Sequence, residues 1–332
     1  MSDVATPTAP HRADTLDART PPEGFAHRLA CPLCGEPRSR SVIHVNFPDI
    51  PVLRCDRDAG GCGFIWPAWT MTTDGMARYY REVFASPWHR KGQELNSLVN
   101  IAALRRMIDL RRVGSFLDVG AGYGFLLSRL RRAGIAARGC EPSVQEAAWG
   151  REHLSADIAT GFLDDAALPE SAFDVVACFE VIEHAPDPRA LVASMARHCK
   201  PGGWVLVNTD NFDCWAVRRL GPRFAKWIPH SHVSDFTPPT LIRCMEAVPG
   251  LKVERTLSYT AWENALRGVL AMLRGPADPA ACFSLKAELG REMNRAYRFW
   301  PLRVAMARAW FSLSASTSLG GSMMYVAARK IG

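Results

Sequence analysis

A short apolar run, Phe116-Leu117-Asp118-Val119, leads directly into Gly120-Ala121-Gly122-Tyr123-Gly124 and then into a helical period starting at Phe125. Three glycines in five residues let a chain leave a strand, turn sharply and lay its backbone N–H groups against a ligand, with no Cβ in the way. Such a strand, turn and helix favours an open α/β sheet whose ligand sits at the carboxyl ends of the strands. The dinucleotide fingerprint G-x-G-x-x-G would need glycine at position 125, which is Phe125. A pyrophosphate cradle is therefore disfavoured, and the turn better suits a flat, zwitterionic ligand.

The surrounding pattern agrees. Apolar runs at 116–119, 136–140, 172–179, 204–208, 251–258 and 323–328 read as strands, with helical periods at 125–133, 144–151, 188–199 and 239–248. The predicted architecture is an α/β, Rossmann-like sheet of seven mostly parallel strands with an antiparallel last strand. A small N-terminal ribbon and a C-terminal helical insertion complete it. Carboxylates fall where strands end. Glu141, before Pro142, follows the glycines by about 20 residues, the place of a ribose-binding acid, and Asp164-Asp165 follow the third strand, suited to an adenine amino group. Asp118 closes the first strand, where it can accept a hydrogen bond from an ammonium group.

Upstream, Cys31-Pro32-Leu33-Cys34-Gly35 and Cys55 to Cys62-Gly63 form two cysteine pairs. Four thiolates brought together by two glycine-flanked turns make a zinc-ribbon-like site at Cys31, Cys34, Cys55 and Cys62. The six residues between Cys55 and Cys62 imply an enlarged second knuckle. The expected organisation is a disordered tail over 1–28, the ribbon over 29–68, a helical bridge over 69–113, the α/β domain over 114–260 and 319–332, and a helical insertion over 261–318. Within the insertion, Leu302, Met306, Ala309 and Leu313 read as the buried face of a helix, and the whole reads as a lid over the acceptor pocket.

Composition narrows the rest. Hydrophobic content of 48 % excludes disorder throughout, and no stretch reaches the roughly 20 uncharged apolar residues of a membrane span. The start, Met1-Ser2-Asp3-Val4-Ala5-Thr6-Pro7, lacks the basic and apolar regions of a secretory signal, so a cytoplasmic location is expected. From Asn211 onward there are 17 basic against 8 acidic residues, an excess of +9 beside a net charge of +7 for the whole chain, so the positive excess sits in the C-terminal third. That face could meet RNA or an anionic lipid, and Trp262, Trp300, Trp310 and Phe311 beside arginines would suit a peripheral contact with a lipid-linked acceptor.

The glycine loop, Glu141, Asp164, the run Phe173-Asp174-Val175-Val176-Ala177-Cys178-Phe179-Glu180 and Lys200-Pro201-Gly202-Gly203, in this order, resemble the class I S-adenosylmethionine-dependent methyltransferases over residues 100–330. The resemblance implies S-adenosyl-L-methionine as cofactor, with contacts at Asp118, Gly120, Gly122, Glu141 and Asp164. Ala121, Tyr123, Gly124, Pro142, Asp165 and Glu180 join the candidate set. Glu180-Val181-Ile182-Glu183-His184 also resembles the metal-binding set of ubiquinone-type O-methyltransferases and small-RNA ribose methyltransferases, which implies a second divalent ion at Glu180, Glu183 and His184. Without an ion, His232 or His230, and after them His184 with Glu183, are the candidate general bases, since histidine titrates nearest neutral pH.

The segment His232-Val233-Ser234-Asp235-Phe236-Thr237-Pro238 resembles the acceptor-pocket border of bacterial sugar and natural-product methyltransferases. Together these features predict O-methylation of a sugar, nucleotide-sugar or other small biosynthetic intermediate, a small-molecule or glycan acceptor. An RNA methyltransferase is the alternative, because one ribosomal-RNA guanine methylase family also begins with Cys-Pro-Leu-Cys. A non-catalytic cofactor-binding module is the alternative from another class. No interleaving of aromatic with basic residues marks the ribbon as a single-strand platform, so nucleic acid is the weaker partner.

Overall fold

The structure is a computed structural model, and it describes residues 20–21, 23–46, 49–82, 87–221, 224, 226–229, 231–262, 265–266, 269 and 300–332. Its centre is a seven-stranded sheet: β6 (Ser115–Val119), β7 (Ala136–Glu141), β8 (Asp157–Thr160), β9 (Phe173–Phe179), β10 (Cys199–Asp210), β11 (Leu251–Tyr259) and β12 (Met323–Lys330). The spatial order is β11-β12-β10-β9-β6-β7-β8. β12 runs antiparallel between β11 and β10, and the pairs from β10 to β8 are parallel. Strand order reverses between β6 and β9, so the loops leaving those two strands diverge and open a crevice at their carboxyl ends.

Both faces of the sheet are covered. Phe116, Val175 and Leu206 face a core shared with α2 (Pro87–Met107) and α3 (Phe125–Arg132). Leu117, Val176 and Val205 face the other way, onto α5 (Pro188–His198) and α7 (Pro238–Glu246), two residues that are neighbours in sequence facing opposite layers as the pleat requires. α4 (Val144–Leu154) opens at Ser143, whose Oγ accepts from Glu146 N–H, and α5 opens at Asp187, which caps Arg189 and Ala190. The short α6 (Trp215–Leu220) follows β10 and packs Ala216 and Leu220 against Phe212 and Trp227.

The cysteine-bearing segment folds as β2 (Ser39–Asn46), β3 (Asp49–Cys55) and β4 (Ile65–Pro67). Two expectations shift here. Phe25–His27 (β1), read as part of a disordered tail, pairs antiparallel with Trp69–Met71 (β5), read as the start of a helical bridge. Three-residue strands leave too little alternation to be seen in sequence, and their pairing joins positions more than 40 residues apart. Helices begin only at α1 (Thr73–Glu82).

The insertion brings another correction. In α8 (Trp300–Ser314) the residues expected inside, Leu302, Met306 and Leu313, are exposed, and Ala307 and Phe311 are buried instead. Arg106 of α2 stacks on Phe311 and donates to the carbonyls of Ser312 and Ala315, which turns that face inward. Phe311 thus serves the core and is not available to a lipid. Residues 270–299, with the helical periods expected there, lie outside the described residues. Among the described residues no helix is long and apolar enough to cross a membrane.

Candidate active site

The crevice floor is the turn after β6. Gly120, Gly122 and Gly124 all adopt positive φ (75°, 53° and 75°), and a Cβ on Gly120 would lie 2.4 Å from Val181 Cγ2. Glycine is demanded twice over, by conformation and by space. The N–H groups of Gly120 and Ala121 donate to the Cys140 carbonyl, at 2.9 and 3.0 Å, which ties the turn to the neighbouring strand. The Gly122 N–H donates to the Glu141 carboxylate (2.9 Å), as does Ser143 N–H (2.8 Å). Asp118, Glu141 and the glycine loop are therefore one cluster. Glu141 is buried, and burial together with the nearby charge of Glu146 pushes its carboxyl up to about 8. Burial and Glu141 raise Asp118 well above the carboxylate range as well.

The N-terminal part of α2 lies against this turn, a contribution no sequence pattern disclosed. Gln93 Oε1 accepts from Tyr123 N–H (3.0 Å), and its amide donates to Glu146 (2.9 Å). Asn96 donates to Glu180 Oε2 at 2.7 Å. Asp164 is anchored to α5. Its carboxylate accepts from Ser194 Oγ (2.5 Å) and Arg197 (2.6 Å) on α5, and Asp165 N–H donates to the Phe162 carbonyl.

The second half of the crevice is built where β9 and β10 end. Glu180 has φ 55°, an uncommon conformation for a side chain other than glycine, and its N–H donates to the Asn208 carbonyl on β10. Glu183 and His184 follow on a single tight turn of helix, Ile182–His184. The segment 231–237 folds back over them: Val233 and Ser234 N–H both donate to the Glu183 carbonyl (2.7 and 3.0 Å), and Ser234 Oγ donates to the Ala185 carbonyl. This brings His232 to His184, ring centroids 4.8 Å apart at 86°. Ligand atoms of Glu183, His184 and His232 lie within 4.8 Å of one another, and so do those of Glu180, Glu183 and Asp210. The set expected to share an ion, Glu180 with Glu183 and His184, is thus divided between two triads that meet at Glu183. Lys226 explains the division, for its Nζ stands 2.8 Å from Glu180 and 3.3 Å from Asp210 and is the cation of that triad. His230 lies outside the described residues.

The chain is similar in sequence and fold to known proteins. A family model described as a methyltransferase domain matches residues 88–255. The ubiquinone biosynthesis O-methyltransferase of Thiobacillus denitrificans is 33 % identical over 192 residues, 53 % of this chain and 82 % of its own length. That of Serratia proteamaculans is 30 % identical over 185 residues, 51 % of this chain and 77 % of its own. The chain belongs to the class I S-adenosylmethionine-dependent methyltransferases. Its fold also matches the crystal structure of a SAM-dependent methyltransferase from Thermotoga maritima, with TM-score 0.51 and 15 % identity over 76 % of this chain and 99 % of that one.

A class I methyltransferase has little bond chemistry to supply beyond geometry and, for an oxygen acceptor, removal of a proton. Burial, with Asp210 and Glu180 close by, pushes Glu183 up to about 8, and burial draws His184 down to about 4, so His184 is neutral at neutral pH. The Ser231 carbonyl 2.9 Å from His184 Nδ1 can only accept, which places the proton on Nδ1 and the lone pair on Nε2. Thr209 Oγ1 donates to Glu183 Oε2 (2.9 Å), whereas the buried Oε1 has no hydrogen-bond partner among the described residues. Glu180 is drawn below its ordinary value because Lys226 outweighs the cost of its burial, and burial lifts Asp210 to about 6 against the opposing pull of Lys226. Asp235, also buried, is raised by burial and by Asp210 and Glu183.

Of these residues, Asp210 was legible in principle: it closes β10 as Asp118 approaches the end of β6, and strand ends line the crevice. Lys226 and Asn96 carry no such signal.

In the ribbon, all four sulfurs lie within 4.8 Å of one another, with Cys31 3.6 Å from Cys62 and Cys34 3.5 Å from Cys55. An ion with metal–sulfur bonds of about 2.3 Å needs sulfurs about 3.8 Å apart in a tetrahedron, so the four cysteines fit a zinc ion. The hydrogen bond from Cys31 draws the Cys62 thiol down to about 5, and Cys62 N–H donates to Cys55 Sγ. Backbone donors of this kind favour thiolates.

Proposed function

We propose that this methyltransferase transfers the methyl group of S-adenosylmethionine to a hydroxyl of a small molecule that carries two neighbouring oxygens, a catechol-like ring or a vicinal diol of a sugar. The observation that carries the reading is the meeting of Glu183, His184 and His232 at the carboxyl ends of the sheet. Glu183 Oε1, buried and without a hydrogen-bond partner among the described residues, and two imidazoles form a donor set that suits a divalent transition-metal ion. Such an ion would acidify a bound hydroxyl. The relatives named as ubiquinone biosynthesis O-methyltransferases support oxygen as the acceptor atom.

On the cofactor side, Glu141 is the residue for the ribose hydroxyls, and Asp118 with the open glycine turn 120–124 borders the methionine portion. Asp164, held at Oδ1 by Ser194 and Arg197, is the residue for the adenine amino group. With no ion bound, His232, with His184 behind it, is the group that takes the hydroxyl proton as the oxygen attacks the methyl carbon in line with the departing sulfur. The four cysteines hold a structural zinc ion.

The test is incubation of the purified protein with methyl-labelled S-adenosylmethionine and cell-extract fractions. Label in the small-molecule or glycan fraction is expected. Label confined to nucleic acid overturns the proposal and makes the basic C-terminal third the binding face.

A further inference from the structure

The ribbon and the acceptor-side loops are not separate pieces of the molecule. Asp235 N–H donates to the Ile65 carbonyl (2.9 Å), an antiparallel bridge between ribbon strand β4 and the segment that follows His232. Phe64 meets Phe236 edge to face at 5.0 Å, and both rings are fully buried. Arg28 spans the two catalytic loops. It donates through Nη1 to the Val233 carbonyl (2.8 Å), one residue past His232, and through Nη2 to the Pro186 carbonyl, two residues past His184. Its own backbone is held from within the ribbon, since Arg28 N–H donates to the Ala68 carbonyl and the Trp66 indole donates to the Arg28 carbonyl, both at 2.7 Å.

The cysteines flank each of these contacts. Cys31 is three residues from Arg28, and Cys62 is two from Phe64 and three from Ile65. Cys55 N–H donates to the Phe64 carbonyl at 2.8 Å. An ion joining the two knuckles would lock Arg28 and Ile65 in one frame, and its loss would release both attachments of the 231–237 segment. The glycine loop and Glu141 are held by other partners, Cys140, Ser143 and Gln93, none of them in the ribbon.

We propose that the cysteine ribbon is a wall of the active site, with Arg28 a positioning residue that sets His232 against Glu183 and His184, so that metal loading of the four cysteines governs methyl transfer without governing cofactor binding. This rests on the reading of His232 as part of the acceptor side. The two readings fail separately, because the main readouts below need no acceptor.

The experiment is amide hydrogen exchange by mass spectrometry on the full chain, as isolated, after zinc chelation, and in Arg28→Met and Arg28→Lys, alongside calorimetric titration with S-adenosylmethionine. In Arg28→Met and after chelation, amides 233–235 are expected to exchange at least tenfold faster. Exchange at 120–124 and the Kd for S-adenosylmethionine stay within about twofold. Arg28→Lys, which keeps one donor to one carbonyl, recovers part of the protection. With the acceptor fraction that takes label, kcat falls at least tenfold in Arg28→Met with a smaller change in KM. Unchanged exchange at 233–235 after chelation and in Arg28→Met overturns the proposal, as does an equal loss of cofactor binding. Protection of strand 204–208 reports whether Arg28→Met is folded, and if it is not, chelation and Arg28→Lys decide the outcome.

Discussion

The imidazole of His232 stands edge-on to that of His184, ring centroids 4.8 Å apart, although 47 residues separate them in the chain. The main-chain hydrogen bonds from Val233 and Ser234 to Glu183 bring this about, so one acid and two bases from different segments form one cluster. Its position at the ends of β9 and β10 sets it across from the glycine loop at the end of β6, in the crevice where a class I fold presents its cofactor.

Removing the second ring should separate transfer from binding. His232→Ala is expected to lower kcat by roughly 10² to 10⁴, the usual contribution of a positioned general base, while the Kd for S-adenosylmethionine stays within twofold. Turnover and calorimetry on the same preparation check this, and an unchanged kcat removes His232 from the mechanism.

Glu141 should make stability fall with rising pH. Its carboxyl is raised from 4.5 to about 8 in the folded chain, so the folded state holds a proton that the unfolded state has released. That contribution is fully present below about pH 4.5 and is lost as pH rises through about 8, at about 1.4 kcal/mol per pH unit crossed. Melting temperature should therefore decline between pH 5 and 8.5, and Glu141→Gln should flatten the slope. The same substitution should weaken S-adenosylmethionine binding at least tenfold.

Lys226 is the cation between Glu180 and Asp210, and Lys226→Met leaves two carboxylates facing each other. Breaking a buried pair costs roughly 3–5 kcal/mol, and the partial exposure of Lys226 and Glu180 reduces this to about 2–3 kcal/mol. The loss should be larger at pH 8 than at pH 5, where protonation relieves the repulsion. Urea unfolding at the two pH values measures it.

Gly120→Ala places a methyl group 2.4 Å from Val181 Cγ2 on a backbone at φ 75°. Strain and clash together should cost about 1–3 kcal/mol and weaken cofactor binding more than tenfold. Thermal melts with and without S-adenosylmethionine read both effects, and a full ligand-induced shift in the variant would count against the loop as the cofactor cradle.

Much of the molecule was legible because its signals are local. The alternation of apolar runs with helical periods marks the parallel sheet, Gly120, Gly122 and Gly124 mark the turn, and the paired cysteines mark the ribbon, each within about a dozen residues. Three features escaped for a common reason. Strand Phe25–His27 exists only because Trp69–Met71 lies beside it. The buried face of α8 is chosen by Arg106 and Phe311, not by the heptad-like spacing of Leu302, Met306 and Leu313. The division of the acid cluster depends on Lys226, which arrives from a stretch with no periodicity.

The sequence by itself determined the class of fold, the glycine turn after the first sheet strand and the candidate set Glu180, Glu183, His184 and His232, but not Asp210 or Lys226, because residue type and short-range spacing carry only the former. Only the tertiary structure decided which of them meet: Glu183 with His184 and His232, Glu180 and Asp210 with Lys226, and the ribbon with the loop beyond His232. Such contacts join positions tens to hundreds of residues apart, and their partners are selected by burial and hydrogen-bond satisfaction once the sheet has formed, which no local pattern encodes.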